Sequence, residues 1–285
     1  MYLELWILVV LKSDGLSERM SVLNKIGRLF SDKEGITFLP VENYDAGVKA
    51  IGNGEYSNHL ITDYVVESSK KYLEMIRSRK RTSEELKKWE FDLYSLFQSF
   101  YVGKKQLKVL DLGGGLVPLS WLLSKWDPTM ALKWGVCELE DLVSKSGTFQ
   151  NDTVSFHSDF EKCKSALGGI DVFYCRCTLQ YCREPLNLLS DVLKVKPQHI
   201  LFKKLGVSKS GKSAVFLQES NLLDHAPVVL DDYQDQRVSY PVSYVRIEDY
   251  VSLLGDEGYQ VDYYYDNEDD NEQGAMVTLL ATLVD

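Results

Sequence analysis

Val109-Leu110-Asp111-Leu112-Gly113-Gly114-Gly115-Leu116-Val117-Pro118-Leu119-Ser120-Trp121-Leu122-Leu123 decides the fold of this chain. Lys108 to Leu112 is a short apolar run closed by an acid, which reads as a buried parallel strand. Three glycines follow, where the backbone can turn sharply and let a ligand come close. An apolar, helix-periodic segment then begins with Pro118 in its first turn, where proline is favoured. Strand, glycine turn and helix start together predict a nucleotide pocket at the carboxyl end of a parallel sheet.

Two common pockets are excluded. The dinucleotide fingerprint G-x-G-x-x-G needs a third glycine where Leu116, Val117 or Pro118 stands, which disfavours a nicotinamide-dependent oxidoreductase. No G-K-[ST] follows, so the turn is not a P-loop.

Outward from the turn the chain alternates. Candidate strands are Lys108–Leu112, Lys133–Glu138, Val154–His157, Ile170–Cys177 and His199–Lys204, with helices beginning near Pro118, Leu139, Phe160 and Glu184. Ile247 to Leu254 reads as a helix. Tyr259–Tyr265 and Ala275–Val284 read as two strands joined by the acidic turn Asp266 to Gly274. This predicts an α/β fold whose seven-stranded sheet has five parallel strands and a C-terminal antiparallel hairpin. Residues 104–285 would form this domain. Residues 206–240 interrupt the rhythm after the fifth strand, and so long an insert at the carboxyl edge is expected to shape a substrate site.

Residues 1–103 read as a mainly helical N-terminal extension. Ser17–Phe30 and Ile61–Ile76 have helical spacing, and Glu34 to Tyr56 is looser. Thr82-Ser83-Glu84-Glu85 matches a capping box. It opens a helix with Leu86, Trp89, Leu93, Leu96, Phe97 and Phe100 on one face, which reads as core packing.

The chain has 285 residues, 45% of them hydrophobic, enough for a sizeable core, and a net charge of -10. That charge repels phosphate backbones and disfavours nucleic-acid partners. The five cysteines, Cys137, Cys163, Cys175, Cys177 and Cys182, offer no zinc-type pairs and read as thiols in a reducing, cytoplasmic setting, with no metal. Met1 to Leu11 is apolar but too short to span a bilayer and lacks signal-peptide features, so no stable membrane insertion is expected. It reads as an element packed on the body, with a membrane-surface contact or a homodimer contact as alternatives.

The acid that closes the strand just before the glycines, in Asp111-Leu112-Gly113-Gly114-Gly115, resembles motif I of the class I S-adenosylmethionine-dependent methyltransferases. The likeness extends to a bacterial methyltransferase group found beside surface-polysaccharide and lipopolysaccharide genes. It runs from about Ile36 to Tyr259 and includes Gly54-Glu55-Tyr56-Ser57, Leu132-Lys133-Trp134-Gly135-Val136-Cys137-Glu138, Leu179-Gln180-Tyr181 before Glu184-Pro185, and Ser239-Tyr240-Pro241-Val242-Ser243-Tyr244. The chain departs from the group at Val117, where a further glycine is usual, and at Lys203-Lys204-Leu205, where an arginine and a proline are usual.

The resemblance implies a Rossmann-like fold and S-adenosylmethionine as cofactor, released as S-adenosylhomocysteine. Asp111 would lie near the methionine end, with Gly113, Gly114 and Gly115 passing under the cofactor. Glu138 would accept hydrogen bonds from the two ribose hydroxyls, for which a carboxylate has two oxygens. Asp159 would meet the adenine amino group, or instead cap the next helix. Cys175 to Tyr181 would face the sulfonium, with Tyr181 either against the sulfur or in the core.

For an acceptor's proton the first choice is His225, in the insert, with Tyr240 and Lys203 beside it; His157, Asp224 and Lys204 are placed comparably. The expected acceptor is a small molecule, a sugar or nucleotide-sugar hydroxyl. The alternatives are a natural-product metabolite, or a non-catalytic interaction module that keeps the fold.

Overall fold

Strands whose side chains are apolar on both faces demand helices on both faces, and the chain supplies them in turn. The computed structural model describes residues 36–51, 59–78, 88–266 and 274–284. The apolar N-terminus, the Ser17–Phe30 helix and the capping box at Thr82 lie outside them. In chain order the elements are β1 (Thr37–Val41), α1 (Tyr44–Ile51), α2 (His59–Ser78), α3 (Lys88–Tyr101), β2 (Leu107–Leu112), α4 (Ser120–Trp126), β3 (Leu132–Cys137), α5 (Glu140–Ser144), β4 (Val154–His157), α6 (Phe160–Leu167), β5 (Val172–Arg176), α7 (Pro185–Leu193), β6 (His199–Ser208), β7 (Ala214–Asn221), β8 (Arg237–Tyr244), α8 (Ile247–Asp256), β9 (Tyr259–Tyr265) and β10 (Gly274–Leu283).

The larger sheet has seven strands in the order β4-β3-β2-β5-β6-β10-β9. Neighbours from β4 to β6 are parallel, and β10 runs antiparallel to both β6 and β9. This is the expected Rossmann-like α/β sheet with its C-terminal hairpin. The order reverses beside β2, so β3 and β5 flank the glycine turn, and this is where such sheets bind ligands.

Alternation along the strands divides the core. Val109, Trp134, Val136 and Tyr174 pack with residues of α2, α3, α4 and α5 on one face. Leu110, Leu112, Phe173, Cys175 and Phe202 pack with residues of α6, α7 and α8 on the other. Asp111 alternates with Leu110 and so belongs to the first face, buried to 1% exposure.

The strand bounds differ from the sequence reading where side chains or backbone intervene. Asp171 accepts the Lys108 N–H through Oδ2 at 2.8 Å, and β5 begins at Val172, two residues later than read. Cys177 has φ 54°, which ends β5 before it.

A second sheet was not foreseen. β1, β7 and β8 form an antiparallel sheet in that order. β7 and the first half of β8 thus lie within the 206–240 stretch that reads as an insert, and β1 lies in the stretch that reads as loose. Pro40 and Pro241 disguise β1 and β8, since proline breaks a strand pattern; both strands are edges, where proline is tolerated. The two sheets meet where Ser208 N–H donates to Val245 O at 3.0 Å. No helix among the described residues is long and apolar enough to cross a membrane.

Candidate active site

Asp111 closes β2 beneath the glycine turn. Its Oδ2 accepts the Trp134 indole N–H at 2.9 Å, and its Oδ1 is buried without a hydrogen-bond partner. Burial pushes this carboxyl up to about 7; the Trp134 bond works against that, Glu138 adds to it and Arg176 opposes it.

The three glycines have different reasons to be glycine. A Cβ on Gly114 would lie 2.3 Å from Asp111 Oδ2. A Cβ on Gly113, at φ 66°, would lie 2.3 Å from the Thr178 side chain. Those two are set by the protein's own packing. Gly115 faces open space, with nothing within 4 Å of its added Cβ. The turn is tied to β3 by Gly113 N–H donating to Cys137 O at 2.9 Å.

Glu138 follows β3 and stands beside the turn. Its Oε1 accepts Gly115 N–H at 3.2 Å and its Oε2 accepts Leu139 N–H at 2.7 Å. Burial pushes this carboxyl up, against those two donors. Asp159 is the N-cap of α6, its Oδ1 accepting Lys162 N–H at 2.8 Å. The Cys175 thiol points into the α6–α8 side of the core rather than toward Asp111, and burial pushes it well up. At this position only the backbone and the following turn lie at the sheet edge.

That turn leads to a second group. Tyr181 stands edge-on to Tyr240, with centroids 5.1 Å apart, and its carbonyl accepts the Tyr44 hydroxyl at 2.7 Å. Tyr240 Oη accepts from Gln218 Nε2 at 2.7 Å and lies 2.9 Å from Ser220 Oγ. His225 Nε2 lies 2.7 Å from Ser220 Oγ and 3.3 Å from Tyr240 Oη. Burial pulls the imidazole down, with Asp224 opposing, which keeps it neutral near pH 7. The structure therefore brings together His225 and Tyr240, and adds Ser220 and Gln218, which the sequence reading missed. Their alternate positions along β7 were the available signal.

The segment carrying His225 is clasped by α2. Tyr64 donates to Leu223 O at 3.3 Å, and Ser68 Oγ both accepts Val228 N–H at 2.9 Å and donates to Val228 O at 2.5 Å. Lys203 keeps other company. Its ammonium donates to Thr278 Oγ1 at 2.8 Å and Tyr264 Oη at 3.0 Å, with Asp266 at 3.5 Å. It lines a cavity of about 400 Å³ with Leu96 of α3 and Leu280 of β10. His157 lies at the end of β4, 3.0 Å from Ser155 Oγ. Among the described residues no three His, Cys, Asp or Glu side chains are grouped to hold a metal ion.

The chain matches no protein-family model and no curated protein. Among solved structures it is similar to an S-adenosylmethionine-dependent methyltransferase from Clostridium acetobutylicum, at 12% identity and a TM-score of 0.45 over 77% of this chain and 98% of that one. It is similar to a sugar N-methyltransferase from Streptoalloteichus, at 12% and 0.44 over 76% and 93%. It is also similar to magnesium protoporphyrin IX methyltransferase from Synechocystis with bound S-adenosylmethionine, at 13% and 0.41 over 78% and 95%.

Proposed function

We propose that the protein transfers a methyl group from S-adenosylmethionine to a small-molecule acceptor, a sugar or nucleotide-sugar hydroxyl. The observation that carries this reading is the joining of Asp111, the glycine turn and Glu138 at the adjacent carboxyl ends of β2 and β3. Two acids beside an open glycine suit a ligand with a cationic end and a pair of vicinal hydroxyls. The residues present fit the cofactor: Asp111 Oδ1 is a buried acceptor in need of a donor, and Gly115 leaves room. When bound, the cofactor supplies an electrophilic methyl group on a sulfonium.

The chain's own residues bind, orient and accept a proton. Glu138 takes the ribose hydroxyls on lone pairs not used by Gly115 and Leu139, since each carboxylate oxygen can accept twice. His225 takes the acceptor's proton. Its Nε2 lies within hydrogen-bond reach of Ser220 and Tyr240, which orients the ring, and burial keeps the imidazole neutral and so able to accept. Gln218 holds Tyr240, which holds His225. α2 and the 222–233 segment, hydrogen-bonded to each other, act as a cover that excludes water. Lys203 is given no step, because its donors are already engaged. The sugar class of acceptor rests on the sequence resemblance.

Calorimetry of S-adenosylmethionine and S-adenosylhomocysteine tests the reading on the wild type and on Asp111→Ala and Glu138→Ala. Micromolar binding that both variants lose supports it. A folded wild type that binds neither compound overturns it in favour of a non-catalytic module.

A further inference from the structure

Asp111 is held by a residue that the sequence reading left among the strand positions. Trp134 stands in β3, one strand away, with 0% of its side chain exposed. Its Nε1–H to Asp111 Oδ2 is a buried bond between side chains of adjacent parallel strands. The indole has little freedom. Phe97 of α3 lies against it with centroids 5.4 Å apart, Tyr174 of β5 meets it at 6.1 Å, and Phe97 meets Tyr174 edge-on at 5.7 Å. An indole N–H can only donate, so it favours the charged carboxylate and cannot compete for the carboxylate's own ligand. From above, Gly114 closes on the same carboxylate so tightly that a Cβ has no room.

We propose that Trp134 is a positioning residue for the cofactor: its indole N–H fixes Asp111 Oδ2 beneath the glycine turn and leaves Oδ1 as the acceptor held for the cofactor's cationic end. The inference rests on the methyltransferase reading above. It assigns the aromatic face of α3 a task at the site, since Phe97 sets the indole that sets the acid. The charged and titratable groups around the carboxylate are Glu138 at the end of β3, Arg176 and Tyr174 on β5, and Cys163 and Cys175 on the opposite face. The face of α3 that packs here contributes Phe97, which does not titrate.

The test is S-adenosylhomocysteine binding by calorimetry between about pH 5.5 and 9, on the wild type, W134F, D111N and the double variant, with thermal unfolding alongside. Removing the donor makes the carboxylate harder to ionise. W134F is therefore expected to weaken binding about tenfold at neutral pH and to move the pH midpoint of binding upward. D111N and the double variant are expected to bind alike, because the indole acts through the acid. W134F binding like the wild type at every pH overturns the inference. So does an equal loss at all pH values that persists in the D111N background, which marks packing alone. In the native chain, the Trp134 indole N–H proton resonance is expected to shift with the same midpoint as binding, a readout that needs no variant to fold; a resonance unmoved over that range also overturns the inference. A wild type that binds no S-adenosylhomocysteine at any pH refutes the parent reading instead.

Discussion

The glycine turn and the Tyr240 cluster are built in opposite ways. At the turn, Asp111, Gly113, Gly114 and Gly115 are neighbours in the chain, and contact follows from a single strand-to-helix crossing. At the cluster, Gln218 and Ser220 come from β7, His225 from the turn after it, Tyr240 from β8 and Tyr181 from the turn after β5. The first region is set by the turn's close packing on its own neighbours and the second by hydrogen bonds between distant side chains. Cofactor binding and proton transfer should therefore respond to mutation separately.

His225→Ala makes the sharpest test of that separation. Methyl transfer, read as S-adenosylhomocysteine release with nucleotide-sugar acceptors, should fall by about 100- to 1000-fold while cofactor affinity holds. A matching loss of affinity would merge the two regions into one. Gly113→Ala should act on the fold itself. A non-glycine residue at φ 66° that also overlaps Thr178 is expected to cost about 3 kcal/mol in denaturant unfolding. An unchanged midpoint would mean that the turn is not set by packing.

Asp111→Asn should have opposite effects on stability and function. The folded state keeps a proton on Asp111 up to about pH 7, whereas the ordinary value is 3.8. The native state is thus favoured at low pH, and that advantage is lost as pH rises through 7. The variant escapes the loss, so it should be more stable than wild type by on the order of 2 kcal/mol at pH 8, with the gap closing toward pH 4, and it should bind cofactor worse. Equal unfolding midpoints at both pH values would contradict the burial argument. Glu138→Gln should weaken S-adenosylmethionine about tenfold, leaving unfolding nearly unchanged. The smallest effect is expected from Lys145→Ala, which removes an exposed ion pair to Asp63 on α2. It should change stability by less than about 1 kcal/mol.

The two regions also differed in how much the amino-acid pattern could reveal. The parallel strands are continuous apolar runs punctuated by Gly113, Asp159 and Pro185, so their succession along the chain and the acid–glycine turn could be read directly. Glu138 was singled out by its place at a strand end, and the structure puts it beside the glycine turn. The sheet of β1, β7 and β8 was not legible, because its partners are distant and Pro40 and Pro241 argue locally against strands. Trp134 looked like one more apolar strand residue, since nothing in the local pattern reports which polar atom an indole will meet. His225 was chosen for its place in the insert, while its partners Ser220 and Gln218 emerge only once β7 is seen to place them on one face.

The pairing of β1 with β7 has a consequence for the life of the chain during synthesis. Thr37 bonds Glu219 across a separation of 182 residues, while β2 through β6 follow one another closely. Contacts between near neighbours form quickly, and closing so long a loop is slow. A ribosome releasing this chain from its N-terminus exposes β2, its glycine turn and β3 long before β7 exists for β1 to meet. The cradle can thus form while the nascent chain still lacks the sheet that carries His225's partners, and the β1 strand waits unpaired until β7 has been made.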